Sequence, residues 1–314
     1  MNTSFAEIFE TINKFETIIV LRHINPDYDA LGSQFGLIKW LKHLFPTKTV
    51  LAGGNEPSLD DSFIANPDKI SIDQCKDALA IAVDTSTTQR IDGVELWSAC
   101  CERICIDHHI RQVKMADNEY VDSTASSCAE LIAQLILEVA PESLDIEIAK
   151  VLYAGIVADT QRFSISSTTA KTFKVASSLL ETGLNVNDIN NQVFQNDFQT
   201  YLFAIKLREM AVYSPEFAYA IVDVKDYNDF GLRDEEVKSK VSIFGEIRGI
   251  QAWAVFVQKV DNTYSASLRS HNLKLNDIAQ HFGGGGHKCA CGIPDLNLKQ
   301  CHEVISMIKQ RSSE

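Results

Sequence analysis

The sequence is poor in basic residues. It has 29 lysines and arginines against 42 aspartates and glutamates, which gives a formal net charge of −13. This balance argues against a long nucleic acid as partner, because a large non-specific nucleic-acid surface needs a basic footprint. It does not exclude a small anionic substrate that is held by metal ions, since bound divalent cations offset the acidic charge around them.

Long apolar runs and paired cysteine motifs are also lacking. No run approaches the roughly 20 apolar residues that a helix needs to cross a bilayer, and residues 1–15 show no basic segment of the signal-peptide kind. The eight cysteines lack the paired Cys-x-x-Cys spacing of structural zinc sites. We therefore expect that the protein has no membrane partner, that its thiols are reduced, and that it is located in the cytoplasm.

The order of predicted elements indicates an α/β protein with two domains. The 314 residues are enough for two domains of ordinary size. Strands alternate with helices in the first part, which predicts a parallel, doubly wound sheet. The predicted strands of this sheet cover residues 17–21, 47–51, 78–83, 103–106 and 113–121. We expect a first domain over residues 1–188, a helical linker over 189–214, and a smaller α/β domain over 215–314 with a cleft between the two domains.

Metal-binding residue types follow three of the predicted strands directly. They are His23, Asp27 and Asp29 after the first strand, Asp84 after the third, and Asp107, His108 and His109 after the fourth. The carboxyl ends of parallel strands lie at one edge of the sheet, so we expect these side chains to converge. Nitrogen and oxygen donors of this kind suit ions such as Mn²⁺ and Mg²⁺. The alternative for each turn is a polar loop whose Asp caps the next helix.

Two further features point to chemistry. Asp159 lies near the end of a predicted apolar helix, where the helix dipole disfavours an acid, so a metal ion or Arg162 should compensate its charge. Four glycines at residues 283–286 precede His287, and Arg269 ends a predicted strand. Glycines let the backbone direct its N–H groups at an anion, and Arg can bind phosphate through two bonds. The alternative for the glycines is a flexible loop.

Taken together, these motifs resemble those of a known family over nearly the whole chain. The pattern His-x-x-Pro-Asp-x-Asp-Ala-x-Gly-Ser from His23 to Ser33, followed by Asp84, the run Asp107-His108-His109, and Asp159, resembles the DHH phosphoesterases. Arg269 and residues 283–287 resemble the DHH-associated substrate-binding domain. Within the family, a two-domain chain of this length is similar to the branch that acts on short oligoribonucleotides and on pAp.

The resemblance implies two divalent ions, with Mn²⁺ favoured over Mg²⁺. The first ion would be held by His23, Asp27 and Asp84, and the second by Asp29, Asp84, His108 and Asp159. Asp84 would then bridge the pair, an arrangement suited to phosphoryl transfer. Asp84, Asp107, His108 and His109 would form the catalytic set, in which His109 binds the phosphoryl group and Asp107 orients the histidines. The substrate-binding residues would be His109, Arg269, Gly284, Gly285, Gly286 and His287, and those of the second domain would contact the phosphate of the terminal nucleotide.

The implied activity is hydrolysis of di- to pentanucleotide RNA to 5′-mononucleotides and of pAp to AMP, with two ions activating the attacking hydroxide. A phosphodiesterase for linear dinucleotides such as pApA and pGpG is the alternative within the same site. A non-catalytic nucleotide-binding protein is the alternative from another class, although every ligand position is occupied here. A family II pyrophosphatase is disfavoured by the glycine-histidine run of the second domain. A RecJ-type exonuclease is disfavoured by the acidic net charge. A homodimer is an open alternative to a monomer.

The chain departs from the family pattern in two places. Relatives often carry an Asn soon after the histidine pair, where this sequence has Ile110, Arg111 and Gln112. A Gly is common after the Asp159-Thr160 pair, where this sequence has Gln161. The first departure bears on the contacts of that loop and leaves the metal ligands in place.

Overall fold

The computed structural model describes residues 2–57, 65–111 and 113–313, so Gln112 of the first departure lies outside the described residues. The chain divides into two compact units, Met1–Gln195 and Asn196–Glu314. This boundary lies within residues 189–214, the range expected for a helical linker. The helix Val186–Phe194 belongs to the first unit, where Ile189 is buried, and the helix Phe198–Met210 places Phe203 and Leu207 in a core of the second.

The first unit is built on a five-stranded parallel sheet, which confirms the predicted fold class. Its strands are β1 Thr17–Leu21, β2 Thr49–Ala52, β3 Leu79–Val83, β4 Glu102–Asp107 and β5 Asn118–Val121. Their order is β2-β1-β3-β4-β5, and all pairs are parallel. The order reverses between β1 and β3, and ligands bind at such a switch point in open α/β sheets. The strand expected over residues 113–121 is shorter than predicted.

Helices cover both faces of this sheet. They are α1 Phe5–Asn13, α2 Tyr28–Leu44, α3 Ile72–Cys75, α4 Val94–Ala99, α5 Cys128–Val139, α6 Ile146–Asp159, α7 Ala170–Glu181 and α8 Val186–Phe194, with 3₁₀ turns at Thr88–Arg90 and Pro141–Ser143. Alternate residues of β1 enter opposite cores, Ile18 and Val20 on one side and Ile19 and Leu21 on the other. This two-sided burial explains the continuous apolar runs of the strands.

A close approach of α2 and α6 brings two candidate ligands near each other. Gly32 lies one turn after Asp29 on α2, and Gly155 lies one turn before Asp159 on α6. A Cβ atom on Gly32 would lie 2.5 Å from the carbonyl oxygen of Val151 and 3.2 Å from the Cα atom of Gly155. The two glycines therefore allow backbone contact between the helices that present Asp29 and Asp159.

The second unit contains a six-stranded mixed sheet in the order β10-β11-β9-β8-β7-β6. Its strands are β6 Val212–Tyr213, β7 Phe217–Val222, β8 Ala252–Gln258, β9 Tyr264–Ser270, β10 Gly285–His287 and β11 Ala290–Leu296. Its helices are α9 Phe198–Met210, α10 Val224–Asn228, α11 Asp234–Ser239, α12 Asn276–His281 and α13 Leu298–Ser312, with a 3₁₀ turn at Lys240–Phe244. Apolar cores lie on both faces of this sheet. Within the described ranges of both units, no helix has the length and apolar character required to cross a bilayer.

Gly32→Ala should destabilise the protein, although alanine is the better helix former. Helix propensity alone predicts a gain of about 1 kcal/mol. The new methyl group would instead meet backbone atoms that cannot rotate away, and such overpacking costs about 1–3 kcal/mol. We expect a net fall in the free energy of unfolding, measured by urea denaturation.

Gly292→Ala is the matched control for this variant. Its Cβ atom would lie no closer than 3.6 Å to another atom, the carbonyl oxygen of Ala266. We expect a change within about 0.5 kcal/mol, as for ordinary surface substitutions. A Gly32→Ala protein as stable as the wild type would contradict the close packing of α2 and α6.

Candidate metal centre

The turn between β1 and α2 presents three of the predicted ligands, each held in a different way. His23 is buried and its Nδ1 atom lies 2.8 Å from the carbonyl oxygen of Ile24. Asp27 caps α2, since its Oδ1 atom accepts hydrogen bonds from the N–H groups of Asp29 and Ala30, both at 3.0 Å. The helix cap weighed as the alternative is therefore present, and the same carboxylate still lies 3.9 Å from His23 Nε2.

Asp29 is fixed by the N-terminus of α5. Its Oδ2 atom accepts a hydrogen bond from the N–H of Cys128 at 2.7 Å, and its Oδ1 atom accepts one from the N–H of Ala129 at 2.8 Å. A helix N-terminus favours a carboxylate electrostatically. Because both oxygens keep further lone pairs, the carboxylate is oriented without losing its capacity to bind a cation.

Asp84 lies at the centre of the site, directly after β3. Its Oδ2 atom is 3.4 Å from Nε2 of His23, and its Oδ1 atom is 3.5 Å from Nε2 of His108. The residue is 2% exposed, and its buried Oδ1 atom has no hydrogen-bond partner among the residues that the structure describes. Its backbone has a φ of 53°, in the left-handed region that non-glycine residues rarely adopt. Such strain is concentrated at functional sites, where the surrounding structure enforces it.

The residues after β4 complete the cluster. Nε2 of His108 lies 3.7 Å from Oδ2 of Asp29 and 3.7 Å from Oδ2 of Asp159. Nδ1 of His109 lies 2.7 Å from Oδ1 of Asp107, which is the contact of an orienting carboxylate. The end of β4 therefore places His108 within the carboxylate cluster and His109 beside it.

Two groups of ligand atoms have the separation that an ion requires. The first is His23, Asp27 and Asp84, and the second is Asp29, His108 and Asp159; within each group the atoms lie within 4.8 Å of one another. Asp84 has one oxygen toward each group, and a cation would satisfy its buried Oδ1 atom, which has no hydrogen-bond partner within the described part of the chain. The residues thus fit two divalent ions. A third group, Asp84, Asp107 and His109, meets the same distance criterion.

The charges of the cluster perturb one another strongly. Burial and the carboxylates of Asp84 and Asp159 raise the pKa of Asp29 well above its usual value. Burial, with Asp27 and Asp84 nearby, raises the pKa of Asp159 to about 6. The pKa of His108 rises to about 9, because the surrounding carboxylates outweigh the opposing effect of burial. Burial opposes ionisation of Asp84, but His23, His108 and His109 outweigh it and lower its pKa. The negative charge of the clustered carboxylates is therefore greater than the nearby imidazoles neutralise.

Arg162 does not lie against Asp159 as the helix-dipole argument allowed. Its guanidinium lies over the ring of Phe194, 3.7 Å from the ring centroid, and the positive group beside Asp159 is His108. Gln161, which replaces the common Gly, has a φ of 47° and opens a left-handed stretch that continues through residues 162–163. The family's glycine preference therefore has a backbone reason, and this chain adopts the conformation without it.

In the second unit, Arg269 and His287 occupy one row of the sheet. Both are paired with Ala290, Arg269 from β9 and His287 from β10, so their side chains project from the same face. The guanidinium of Arg269 donates to the carbonyl oxygens of Leu268 at 2.9 Å and Cys291 at 3.3 Å. The structure thus brings these two predicted substrate residues to one face of the sheet, on the two strands that flank β11.

The glycine run is partly an edge strand, not a free loop. Gly285 and Gly286 belong to β10, which pairs with β11. A Cβ atom on Gly284 would lie 2.2 Å from the carbonyl oxygen of Gly292, and one on Gly286 would lie 2.5 Å from that of Ala290. Packing against β11 therefore requires glycine at these two positions. A Cβ on Gly285 would meet no atom of the described residues within 4 Å.

Sequence reasoning missed the groups that support these ligands. Arg22, fully buried beside His23, pairs with Asp92 and donates through Nη2 to the carbonyl oxygen of Asn55 at 2.5 Å. The N-terminus of α5, which fixes Asp29, had a detectable signal in the sequence. Ser127-x-x-Glu130 before an apolar run is the pattern of a helix start, although it does not say what the helix binds.

Comparisons with known proteins agree with this geometry. The family described as "DHH family, N-terminal domain" matches residues 17–156, and the "DHHA1 domain" matches residues 215–314. The probable bifunctional oligoribonuclease and PAP phosphatase NrnA of Streptococcus mutans is 36% identical, covering 98% of each chain. The bifunctional oligoribonuclease and PAP phosphatase NrnA of Bacillus subtilis is 35% identical, covering 98% of this chain and 99% of that one.

A solved structure shares the fold. The crystal structure of an exopolyphosphatase-related protein from Bacteroides fragilis superposes with a TM-score of 0.88, covering 99% of this chain and 97% of that chain. Its sequence identity is 20%, so the likeness concerns the fold alone.

Asp84→Asn should remove the binding of two ions, because the amide loses the negative charge and one of the two oxygens that face the histidines. Titration calorimetry with Mn²⁺ on the metal-free protein measures this directly. Asp145→Asn is the matched control: Asp145 caps α6 through Ile148 N at 2.9 Å, and Asn caps equally well. Two ions bound by Asp84→Asn with wild-type affinity would refute a bridging role for this residue.

Proposed function

The chain belongs to the DHH family, and from that premise we propose that it hydrolyses short RNA oligonucleotides to 5′-mononucleotides and dephosphorylates pAp to AMP. The observation that supports this most is Asp84, whose two oxygens face His23 and His108 at 3.4 and 3.5 Å. A carboxylate placed in this way can bridge two ions, the arrangement of many phosphoryl-transfer enzymes. The activities named for the two relatives at 35% and 36% identity supply the substrate class.

The ligand groups described above would hold the ions in two neighbouring positions. Ions held there would supply an activated water and would offset the charge that develops on the phosphoryl group. We propose Mn²⁺ as the ion and Mg²⁺ as the second choice, because Mn²⁺ accepts imidazole together with carboxylate ligands. The same residues fix the direction of each donor atom before the substrate arrives.

The chain's own residues would then position the phosphoryl group. Asp107 is buried and lies 2.7 Å from Nδ1 of His109. This contact orients the imidazole ring. His109 so oriented would bind the phosphoryl group, and Asp107 would act through it.

The second unit would bind the remainder of the substrate. Arg269 and His287 project from the same face of the sheet, and we propose that they contact the terminal phosphate of a nucleotide. Gly284, Gly285 and Gly286 keep the backbone beside His287 free of side chains. Short substrates suit a chain with a net charge of −13, which would repel a long polyanion. The cleft between the domains, the cytoplasmic location and the oligomeric state stay predictions.

A hydrolysis panel tests the function. The substrates are pAp, pApA, a labelled RNA trimer, a long labelled RNA and pyrophosphate, each with Mn²⁺ and with EDTA, and products are resolved at early times. We expect rapid loss of the trimer and pAp with Mn²⁺, an almost intact long RNA, and no turnover in EDTA until Mn²⁺ is restored.

Each other result points to a different activity. Selective turnover of pApA would favour the dinucleotide phosphodiesterase, and turnover of pyrophosphate alone would overturn the assignment of the second unit. Activity indifferent to EDTA would refute the metal centre. If none of the substrates is turned over while nucleotides still bind, the chain is a nucleotide-binding protein.

His287→Ala should mainly raise the KM for pAp and for the RNA trimer, because the residue is proposed to bind substrate and not to hold an ion. We expect kcat to fall less than kcat/KM, as after loss of a contact made equally in ground and transition states. His302→Ala, on an exposed position of α13, is the matched control. An unchanged KM in His287→Ala would remove the glycine-histidine segment from substrate binding.

A further inference from the structure

A fully buried carboxylate lies just beyond the metal centre. Glu130, in the first turn of α5, has an exposed fraction of 0%. Its Oε2 atom accepts hydrogen bonds from Ser126 N at 3.0 Å, Ser126 Oγ at 2.6 Å and Thr172 Oγ1 at 2.9 Å, and its Oε1 atom accepts one from Gln134 Nε2 at 2.8 Å. Burying a carboxylate is costly unless hydrogen bonds replace its hydration, and four donors do so here.

The segment that Glu130 anchors contacts two ligands of the proposed second ion. The carbonyl oxygen of Ala125 lies 3.4 Å from Nδ1 of His108, on the opposite side of the ring from the carboxylates. The N–H groups of Cys128 and Ala129 donate to the two oxygens of Asp29. Ser126 lies between these contacts, and both its backbone N–H and its hydroxyl are bound to Glu130.

We infer that Glu130 is a positioning residue for the second ion, acting through residues 125–129 on Asp29 and His108. This inference rests on the proposed two-ion centre. The carbonyl of Ala125 favours a proton on Nδ1 of His108, which leaves the lone pair of Nε2 for an ion. The start of α5 sets the direction of the Asp29 carboxylate. Glu130 fixes the backbone that makes both contacts and connects this backbone to α7 through the hydrogen bond with Thr172.

Because the ligands fall into two groups, loss of the Glu130 anchor should change the affinities of the two ions unequally. His23 and Asp27 lie on the β1–α2 turn, and residues 125–129 make no contact with either of them among the hydrogen bonds of the described residues. Loss of the Glu130 anchor should therefore weaken the binding of one ion more than the other. A residue that only stabilises the fold would weaken neither ion selectively.

Two substitutions at position 130 separate anchoring from side-chain volume. Glu130→Met keeps the length of the side chain but removes every acceptor, so Ser126, Thr172 and Gln134 lose their partner. Glu130→Gln keeps one oxygen for the Ser126 and Thr172 donors, and the Gln134 amide can turn to accept from the new amide group. Glu130→Gln should therefore rescue what Glu130→Met loses.

Ser143→Ala supplies a matched control for the loss of a buried hydrogen bond in the same unit. Ser143 Oγ accepts a bond from Trp40 Nε1 at 2.7 Å and donates to the carbonyl oxygen of Ala140 at 2.6 Å. Neither partner is a proposed metal ligand. This variant should lower the melting temperature without changing ion binding.

The experiment is calorimetric titration of Mn²⁺ into the metal-free full-length chain, with the melting temperature of each variant measured in parallel. The wild type should bind two ions. Glu130→Met should bind one of them at least about tenfold more weakly, the usual effect of removing a group that orients a metal ligand. Glu130→Gln and Ser143→Ala should bind both ions with affinities close to the wild type.

The outcomes separate this inference from the proposed function. A wild type that binds fewer than two ions would refute the two-ion centre itself. A wild type with two ions and a folded Glu130→Met with unchanged affinities would overturn the role of Glu130 alone. If Glu130→Met does not fold, Thr172→Val, which removes one of the four donors, replaces it. Wild-type affinity for both ions in Thr172→Val, despite a lower melting temperature, would then overturn the inference.

Discussion

The crowding of carboxylates at one edge of the parallel sheet is the constraint on which the first unit depends. Asp29 and Asp84 are both 2% exposed, and Asp159 lies 3.7 Å from the imidazole that also faces them. Charges this close repel one another strongly when water is excluded, so ions or protons must compensate them. Burial and this crowding raise the pKa values of Asp29 and Asp159, and a divalent cation would compensate the same charge.

Backbone strain and close helix packing accompany this arrangement. Asp84 has a left-handed backbone, and α2 approaches α6 so closely that Gly32 has no room for a methyl group. The N-terminus of α5 uses two of its N–H groups on Asp29. Each feature would be unfavourable or unnecessary in an ordinary α/β domain. Together they fix the direction of ligand atoms that come from three strand ends and one helix end.

In the second unit, the sheet places a guanidinium and an imidazole near a stretch of glycine backbone. Arg269 and His287 share a row of the sheet because both pair with Ala290. The neighbouring glycines lie against β11, and Gly284 and Gly286 have no space for a side chain. Glycine at these positions is therefore required by the packing of the sheet edge, whatever the segment binds.

The sequence by itself determined the parallel α/β architecture of the first unit and the candidate ligands. Apolar runs such as residues 78–83 specify buried strands, and strand ends in a parallel sheet share one edge. The tertiary structure decided which groups surround the ligands. Arg162 lies over Phe194 and not against Asp159, β10 forms where a flexible glycine loop was the alternative, and Glu130 binds Thr172 of α7 as well as Ser126. Arg162 and Phe194 are distant in the chain, as are Glu130 and Thr172, so their contacts follow from tertiary packing, which no local pattern encodes.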